Sequence, residues 1–187
     1  MTSDPLCLDF DELSRVVLNG LAKGEPVEID GLGIFFPDPT APFRFEAFPR
    51  RRVFIAYGKE DAEAAERLYD GLEAQGFRCW MDTRKLLPGQ NWPRAIESAI
   101  ETSDFFVPCF SACSAGKRGG FQAEVRYALD CARHVPLDEI FLVPVRLDAC
   151  RVPRSIQREW QYVDLFPDWE AGARRLAATL RQGVRER

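Results

Sequence analysis

The residues able to do chemistry are few in kind. His134 is the only histidine, so a Ser-His-Asp triad is possible only if that residue supplies its base. A metal centre built from several imidazoles is excluded. Cysteines stand at positions 7, 79, 109, 113, 131 and 150. With no secretory context they read as free cytosolic thiols that fill cores. Cys109 and Cys113 form a Cys-x3-Cys with no second pair downstream, a poor zinc signature, so no metal and no resident cofactor is expected. What remains is a set of carboxylates, hydroxyls and aromatic rings beside glycines. They are Tyr57-Gly58-Lys59, Trp80 and Asp82, Gly89 and Trp92, Ser111 and Ser114, and Phe121 with Glu124. A ring such as Tyr57 stacks on a flat base. A glycine lets backbone approach a phosphate, and a lysine pairs with one. Hydroxyls and carboxylates hold sugar hydroxyls.

The elements that must position these residues alternate. Apolar runs at 53–57, 77–81, 105–110, 140–145 and 162–165 read as strands, and helical periodicity occupies 60–75, 92–102, 120–133 and 169–182. The stretch 82–91, with Pro88-Gly89, reads as a loop. Five apolar strands separated by helices imply an α/β, flavodoxin-like parallel sheet covered on both faces. In such sheets ligands bind beyond the carboxyl ends of the strands, which selects the loops that begin at Tyr57, Asp82, Ser111 and Arg146.

Charge divides the chain. Residues 1–49 carry three basic and nine acidic groups, while residues 50–187 carry 22 basic and 20 acidic groups. Prolines 37, 39, 42 and 49 cluster ahead of Arg50-Arg51-Arg52. A boundary between 49 and 50 follows, leaving a second part close to the usual size of one domain. The overall charge of −4 offers no broad surface for nucleic acid or for a membrane. The longest apolar runs fall well short of the ~20 residues of a membrane span. The acidic start, broken by Pro5, lacks the form of a secretory signal, so the expected location is the cytoplasm.

The second part resembles the TIR (Toll/interleukin-1 receptor) domain. Val53-Phe54-Ile55-Ala56-Tyr57 followed by Glu60-Asp61 is similar to that family's first box. Cys79-Trp80-Met81-Asp82, then Leu86, Pro88 and Gly89, resembles its second strand and long loop. Phe106-Val107-Pro108-Cys109-Phe110-Ser111, then Ser114, then Gly120-Phe121-Gln122-Ala123-Glu124 with Ala128-Leu129, resembles the third strand and the helix that carries the family's acidic residue. Phe141-Leu142-Val143-Pro144-Val145-Arg146-Leu147 fits the fourth strand of bacterial members. The resemblance spans roughly residues 51–182, in the family's order.

It implies a fork. Many bacterial and plant TIR domains cleave the nicotinamide N-glycosidic bond of NAD+, and some cyclise or transfer the ADP-ribose; bacterial members commonly act in defence against phage. Other members are non-catalytic scaffolds. The family's glutamate maps onto Glu124, so the resemblance implies an NAD+ nucleosidase or cyclase with NAD+ as substrate and Glu124 as its catalytic residue. Nicotinamide leaves neutral and needs no acid, so one carboxylate that holds the ribose and stabilises an oxocarbenium-like centre suffices. The plain alternative is a solvated helix glutamate.

The resemblance also implies substrate contacts from Tyr57, Gly58, Lys59, Trp80, Asp82, Gly89, Trp92, Ser111, Ser114 and Phe121. Each has a structural alternative. Tyr57 could pack over a strand end, Trp80 could be core, Trp92 could anchor its helix, and the serines could be turn residues. The loop residues Arg84, Lys85, Leu86, Leu87, Pro88, Gly89 and Gln90 correspond to the family's assembly loop, which implies other TIR domains and a downstream effector as partners. Two departures stand out. Family enzymes often carry Trp four residues before the acid, where this chain has Gly120 and the nearest aromatic is Phe121. They often carry Ser where this chain has Ala56.

In the first part, residues 13–21 read as a short amphipathic helix. Residues 24–35, with their Gly-x-x-Val-x-Ile-x-Gly-x-Gly-x-Phe pattern, resemble the β-hairpin of the histone-like HU/IHF family. The basic arm that grips DNA is absent, and net negative charge opposes phosphate. A unit for docking or oligomerisation is the expectation, since so small a hairpin is marginal alone. Two further readings stay open for the whole chain: a scaffold acting by TIR–TIR assembly, and a nucleoside deoxyribosyltransferase-like enzyme, whose glutamate also acts on an N-glycosidic bond. A response regulator is disfavoured because strand three ends in Phe110-Ser111, with no phospho-accepting aspartate.

Overall fold

The computed structural model describes residues 10–29, 32–47, 50–85, 89, 91–136 and 138–183. The chain forms two compact units, Met1–Pro49 and Arg50–Arg187. Among the described residues no helix is long and apolar enough to cross a membrane.

The first unit opens with α1 (Phe10–Ala22), whose inward side is set by Val17 and the half-buried Leu13, Gly20 and Leu21. Gly20 is where this helix meets the sheet: a Cβ there would lie 2.2 Å from Cγ2 of Val27. β1 (Val27–Ile29) and β2 (Gly33–Phe36) pair antiparallel, with Val27 opposite Phe35. The sequence pattern suggested a hairpin alone, but a third strand, β3 (Arg44–Ala47), pairs antiparallel with β2. Its signal was present but short: Phe43-Arg44-Phe45-Glu46-Ala47 alternates apolar and polar residues, yet all four residues of the strand are exposed and the prolines at 37, 39 and 42 read as a linker. The connection is built by Asp38, whose Oδ1 accepts the N–H groups of Thr40 and Ala41 at 2.7 and 3.0 Å. The Phe35 ring lies 5.2 Å from that of Phe43 and 4.7 Å from that of Phe45.

The second unit holds β4 (Arg52–Tyr57), β5 (Arg78–Trp80), β6 (Phe105–Phe110), β7 (Val145–Arg146) and β8 (Val163–Asp164), all parallel and ordered β5-β4-β6-β7-β8. This is the α/β parallel sheet the alternation implies. Period-2 alternation divides its side chains between two cores. Val53, Ile55, Phe105 and Val107 face α2 (Ala62–Ala74) and α7 (Trp169–Gln182), which contribute Leu68, Leu72, Leu176 and Leu180. Phe54, Ala56, Phe106 and Phe110 face α4 (Trp92–Glu101), α5 (Gly120–Ala132) and α6 (Arg154–Glu159), which contribute Ile100, Val125, Ala128 and Ile156.

Three details depart from the sequence pattern. The strand expected over 140–145 pairs through one bridge, Phe106 to Leu142, before regular pairing resumes at Val145. Pro108 explains the gap: Phe106 donates its N–H to Phe141 on that side, and Pro108, two residues on, has no N–H to give. Asp82–Lys85, expected as loop, forms one helical turn, α3. The six-residue helix α6 was not anticipated at all.

Candidate functional site

The carboxyl ends of β4 and β5 bring three segments together. Tyr57 ends β4, and its hydroxyl donates to Oδ1 of Asp82 at 2.6 Å. Asp82 starts α3, and the same oxygen takes the N–H of Thr83 at 2.8 Å. Burial, and then the hydrogen bond to Asp82, hold the Tyr57 phenol well above its ordinary range, and the negative charge of Glu124 adds to the effect. Glu124 stands in the first half of α5 and is half-buried. Burial, and then the charge of Asp82, push its carboxyl up to about 8. Residues from three separate stretches of sequence thus meet here, and the charge of Asp82 acts on both Tyr57 and Glu124.

Glu124 accepts no hydrogen bond from any described residue, and no fully buried side-chain oxygen or nitrogen among them lacks a partner. Neither of its oxygens is therefore fully buried among the described residues, although the residue as a whole is half-buried. A carboxyl so placed is held largely neutral near pH 7 and ionises readily once a cation arrives. That is the behaviour required of a group that stabilises a positively charged sugar carbon.

The other residues singled out in the sequence have varied surroundings. Ser111 and Ser114 are buried. Ser111 Oγ donates to Asp61 Oδ2 at 2.8 Å and accepts the N–H groups of Cys113 and Ser114 at 3.1 Å, while Ser114 Oγ accepts the Ser111 N–H at 3.1 Å. These hydroxyls shape the turn after β6 and do not bond Glu124. The space above Gly58 is taken by the same turn, since a Cβ there would lie 2.5 Å from Cβ of Ser114. Gly58 is thus demanded by packing between two loops. Lys59 is exposed. Trp80 is stacked on Phe54, ring centroids 4.5 Å apart. Phe121 is buried against Phe110, edge to face at 5.4 Å, so it turns into the core rather than walling a pocket.

Position 120, where family enzymes often carry Trp, is open: a Cβ on Gly120 would meet nothing within 4 Å. Trp92 is 62% exposed. It does not anchor α4 to the core, because that helix is held by Ile100 and by its cap, Asn91 Oδ1 accepting the N–H of Arg94 at 3.3 Å. Gly89 is exposed with φ +84°, a conformation that favours glycine. Arg84 turns back onto α2, 3.5 Å from Asp70 and over the Tyr69 ring, which Lys85 also overlies. Leu86, Leu87, Pro88 and Gln90 lie outside the described residues.

Two further carboxylates act as anchors: Asp61, which entered the sequence reading only as part of the first box, holds Ser111, and Asp148, which did not enter it, accepts the N–H of Ala112 at 3.0 Å. Their signal was their place: each follows the carboxyl end of a strand by a few residues.

Residues 53–177 match the family model described as TIR domain. A curated relative, the uncharacterized protein y4cD of Sinorhizobium fredii (strain NBRC 101917 / NGR234), is 28% identical over 174 residues. That match takes in 91% of this chain, and hence parts of both units, but only 27% of the relative, so the chain spans about a quarter of that protein's length. Among solved structures, the TIR domain of the Toll-related receptor TRR-2 from Hydra magnipapillata is 23% identical with a TM-score of 0.57, covering 70% of this chain and 98% of that one. A metazoan TIR-STING receptor from C. gigas, solved in complex with 2',3'-cGAMP, is 23% identical with a TM-score of 0.58, covering 71% and 40%. At these identities the structural likeness speaks for the fold.

Proposed function

The chain belongs to the TIR domain family, and on that premise we propose that it cleaves the N-glycosidic bond between nicotinamide and ribose in NAD+. The observation that carries this reading is the half-buried Glu124 carboxyl without a hydrogen-bond partner among the described residues, near enough to Asp82 and Tyr57 to interact with both electrostatically. As the bond breaks, its electron pair goes to the ring nitrogen, which is already cationic, so nicotinamide leaves neutral. Positive charge passes to the ribose carbon. Glu124, drawn into its ionised form by the cationic substrate, stabilises that carbon. Water, or a hydroxyl of the ADP-ribose itself, then supplies the new bond to carbon and gives up its proton, so the product is linear or cyclic.

Because the free enzyme must ionise Glu124, kcat/KM is expected to rise with pH through about 8. The test is to incubate the protein with NAD+, follow nicotinamide release, and identify products by mass spectrometry, beside Glu124→Ala. Release that persists undiminished in the variant would overturn the role of Glu124, and no release by the wild type in any assembly state would overturn the reaction.

A second reading rests on other residues. Trp92 is exposed and the position at Gly120 is open, as in a site that another copy completes. In this reading the chain works by TIR–TIR assembly through the 84–90 segment, either to finish the catalytic pocket or as a non-catalytic scaffold for a downstream effector. Its expected signature is loss of self-association on substitution in that segment; Glu124→Ala is silent if the chain is a scaffold and abolishes nicotinamide release if assembly finishes the pocket. Bacterial anti-phage signalling is the setting we propose for either reading, with the first unit as the docking or oligomerisation element.

A further inference from the structure

A concave surface of the second unit lies away from Glu124. A cleft of about 500 Å³ lies beyond β7 and along α6, lined by Arg146, Arg151, Arg154, Gln157 and Tyr162 among others. Among the described residues no acidic one lines it. Arg146 is already committed. Its Nε and Nη2 donate to the two oxygens of Asp164 at 2.6 and 2.8 Å, and its Nη1 donates to the Cys150 carbonyl at 3.0 Å. Its guanidinium also stacks 4.5 Å from the centre of the Tyr162 ring. Asp164 therefore neutralises Arg146 and fixes it as a rigid wall.

Arg151 and Arg154 differ. Both are exposed, and neither has an ion-pair partner among the described residues. Gln157 and the Tyr162 hydroxyl are likewise without a hydrogen-bond partner there. Two uncompensated positive charges converge on a hollow whose remaining polar groups can donate. The volume is that of a small-molecule site. It is too confined for a long polyanion, and the second unit as a whole, with 22 basic and 20 acidic groups, has no broad positive field for one.

We propose that this cleft binds the diphosphate of a nucleotide, with Arg151 and Arg154 supplying the charge and Gln157 and Tyr162 further donors. Guanidinium forks match phosphate oxygens in geometry as well as in charge. The proposal does not depend on NAD+ cleavage. The diphosphate could belong to a free nucleotide or to the dinucleotide whose nicotinamide end reaches Glu124, since cleft and glutamate both lie toward the carboxyl ends of the strands.

The test is calorimetric titration of the whole chain with ADP, with inorganic pyrophosphate and with uncharged adenosine. ADP and pyrophosphate are expected to bind, increasingly weakly as salt rises, and adenosine far less. Arg151→Ala combined with Arg154→Ala is expected to weaken ADP about tenfold or more, with an unchanged melting temperature because both side chains are exposed. Gln157→Glu is expected to weaken it too. Arg158→Ala, on the same helix but outside the cleft lining, is expected to change it by no more than about twofold. The proposal is overturned by three results: no binding of ADP or pyrophosphate, full binding by the double variant, or an equal loss in Arg158→Ala.

Titrating NAD+ into Glu124→Ala protein, with and without the two arginine changes, separates the sources. A loss of NAD+ affinity assigns the cleft to the dinucleotide. Unchanged NAD+ affinity beside lost ADP affinity assigns it to a separate nucleotide. These binding results read the same whether or not nicotinamide is ever released.

Discussion

The two edges of the strand ends handle charge in opposite ways. At β7 and β8, Arg146 and Asp164 meet in a two-pronged pair, and each shifts the other toward its charged form: Asp164 is held below the usual carboxylate range and Arg146 above its own. At β4 and β5, Glu124 stands beside Asp82 with no cation to balance it among the described residues, and burial pushes it the other way. The first arrangement stabilises the fold. The second is tolerated at the cost of stability, and unbalanced groups of that kind gather where a ligand completes them. A paired charge thus marks scaffold on this sheet, and an unpaired one marks a site.

Glu124 gives the largest effect with which to break this contrast. Glu124→Gln is expected to lower nicotinamide release at least about a hundredfold. Stability should respond with the opposite sign. A carboxyl raised from 4.5 to about 8 contributes stability that is fully present below pH 4.5 and is lost as pH rises through about 8. Wild type should therefore weaken across that window, whereas Glu124→Gln should not, and should be the more stable protein at pH 9. Denaturant melts at pH 6 and pH 9 measure this. If the variant is the weaker protein at pH 9, the carboxyl is a structural partner and the contrast between the edges fails.

The reverse is expected of Asp164. Asp164→Ala strands the Arg146 guanidinium and should cost about 1–2 kcal/mol, allowing for partial exposure of the pair. Because the Asp164 pKa is lowered, the stabilisation it gives is present above the ordinary carboxylate range and fades as pH falls through its own lower value. The measured difference between wild type and variant should therefore shrink in acid.

Tyr57→Phe comes next. It removes the donor to Asp82 and should cost about 1 kcal/mol in a denaturant melt. Its effect on turnover is expected to be smaller than that of Glu124→Gln, because the phenol orients the start of α3 rather than meeting the reacting carbon.

Most of the second unit's fold was legible in the sequence because its longer strands alternate between two cores and α2 ends just before a turn signal, Gly76. Phe54 and Ala56 against Val53 and Ile55 show this in one strand. Glu124 was legible only through the boxes around it, since nothing in its own sequence neighbourhood announces burial. The arginine cleft was not legible. Arg146 ends a strand, Arg151 lies in a loop and Arg154 opens a helix too short for periodicity, and only the parallel pairing of β7 with β8 gathers them. The third strand of the first unit carries an alternating pattern over residues 43–47, but it is short and follows a proline cluster, so its pairing with β2 is what identifies it.

The smallest expected effect belongs to Trp92, and it sharpens the contrast at its functional side. Trp80, Trp160 and Trp169 are half-buried, but Trp92 is 62% exposed. Trp92→Ala should leave stability within about 0.5 kcal/mol of wild type, as surface changes away from caps and pairs generally do. A larger loss would restore the reading of this ring as an anchor for α4. An exposed indole also reports its own covering. If it closes over a bound base, adding NAD+ to Glu124→Ala protein quenches or blue-shifts emission at low protein concentration, and Trp92→Phe abolishes the change. If it lies instead in a contact between copies, the shift follows protein concentration and ignores NAD+. Emission unmoved by both would leave the ring outside pocket and assembly alike, and the β4–β5 edge would then act through Glu124, Asp82 and Tyr57 without it.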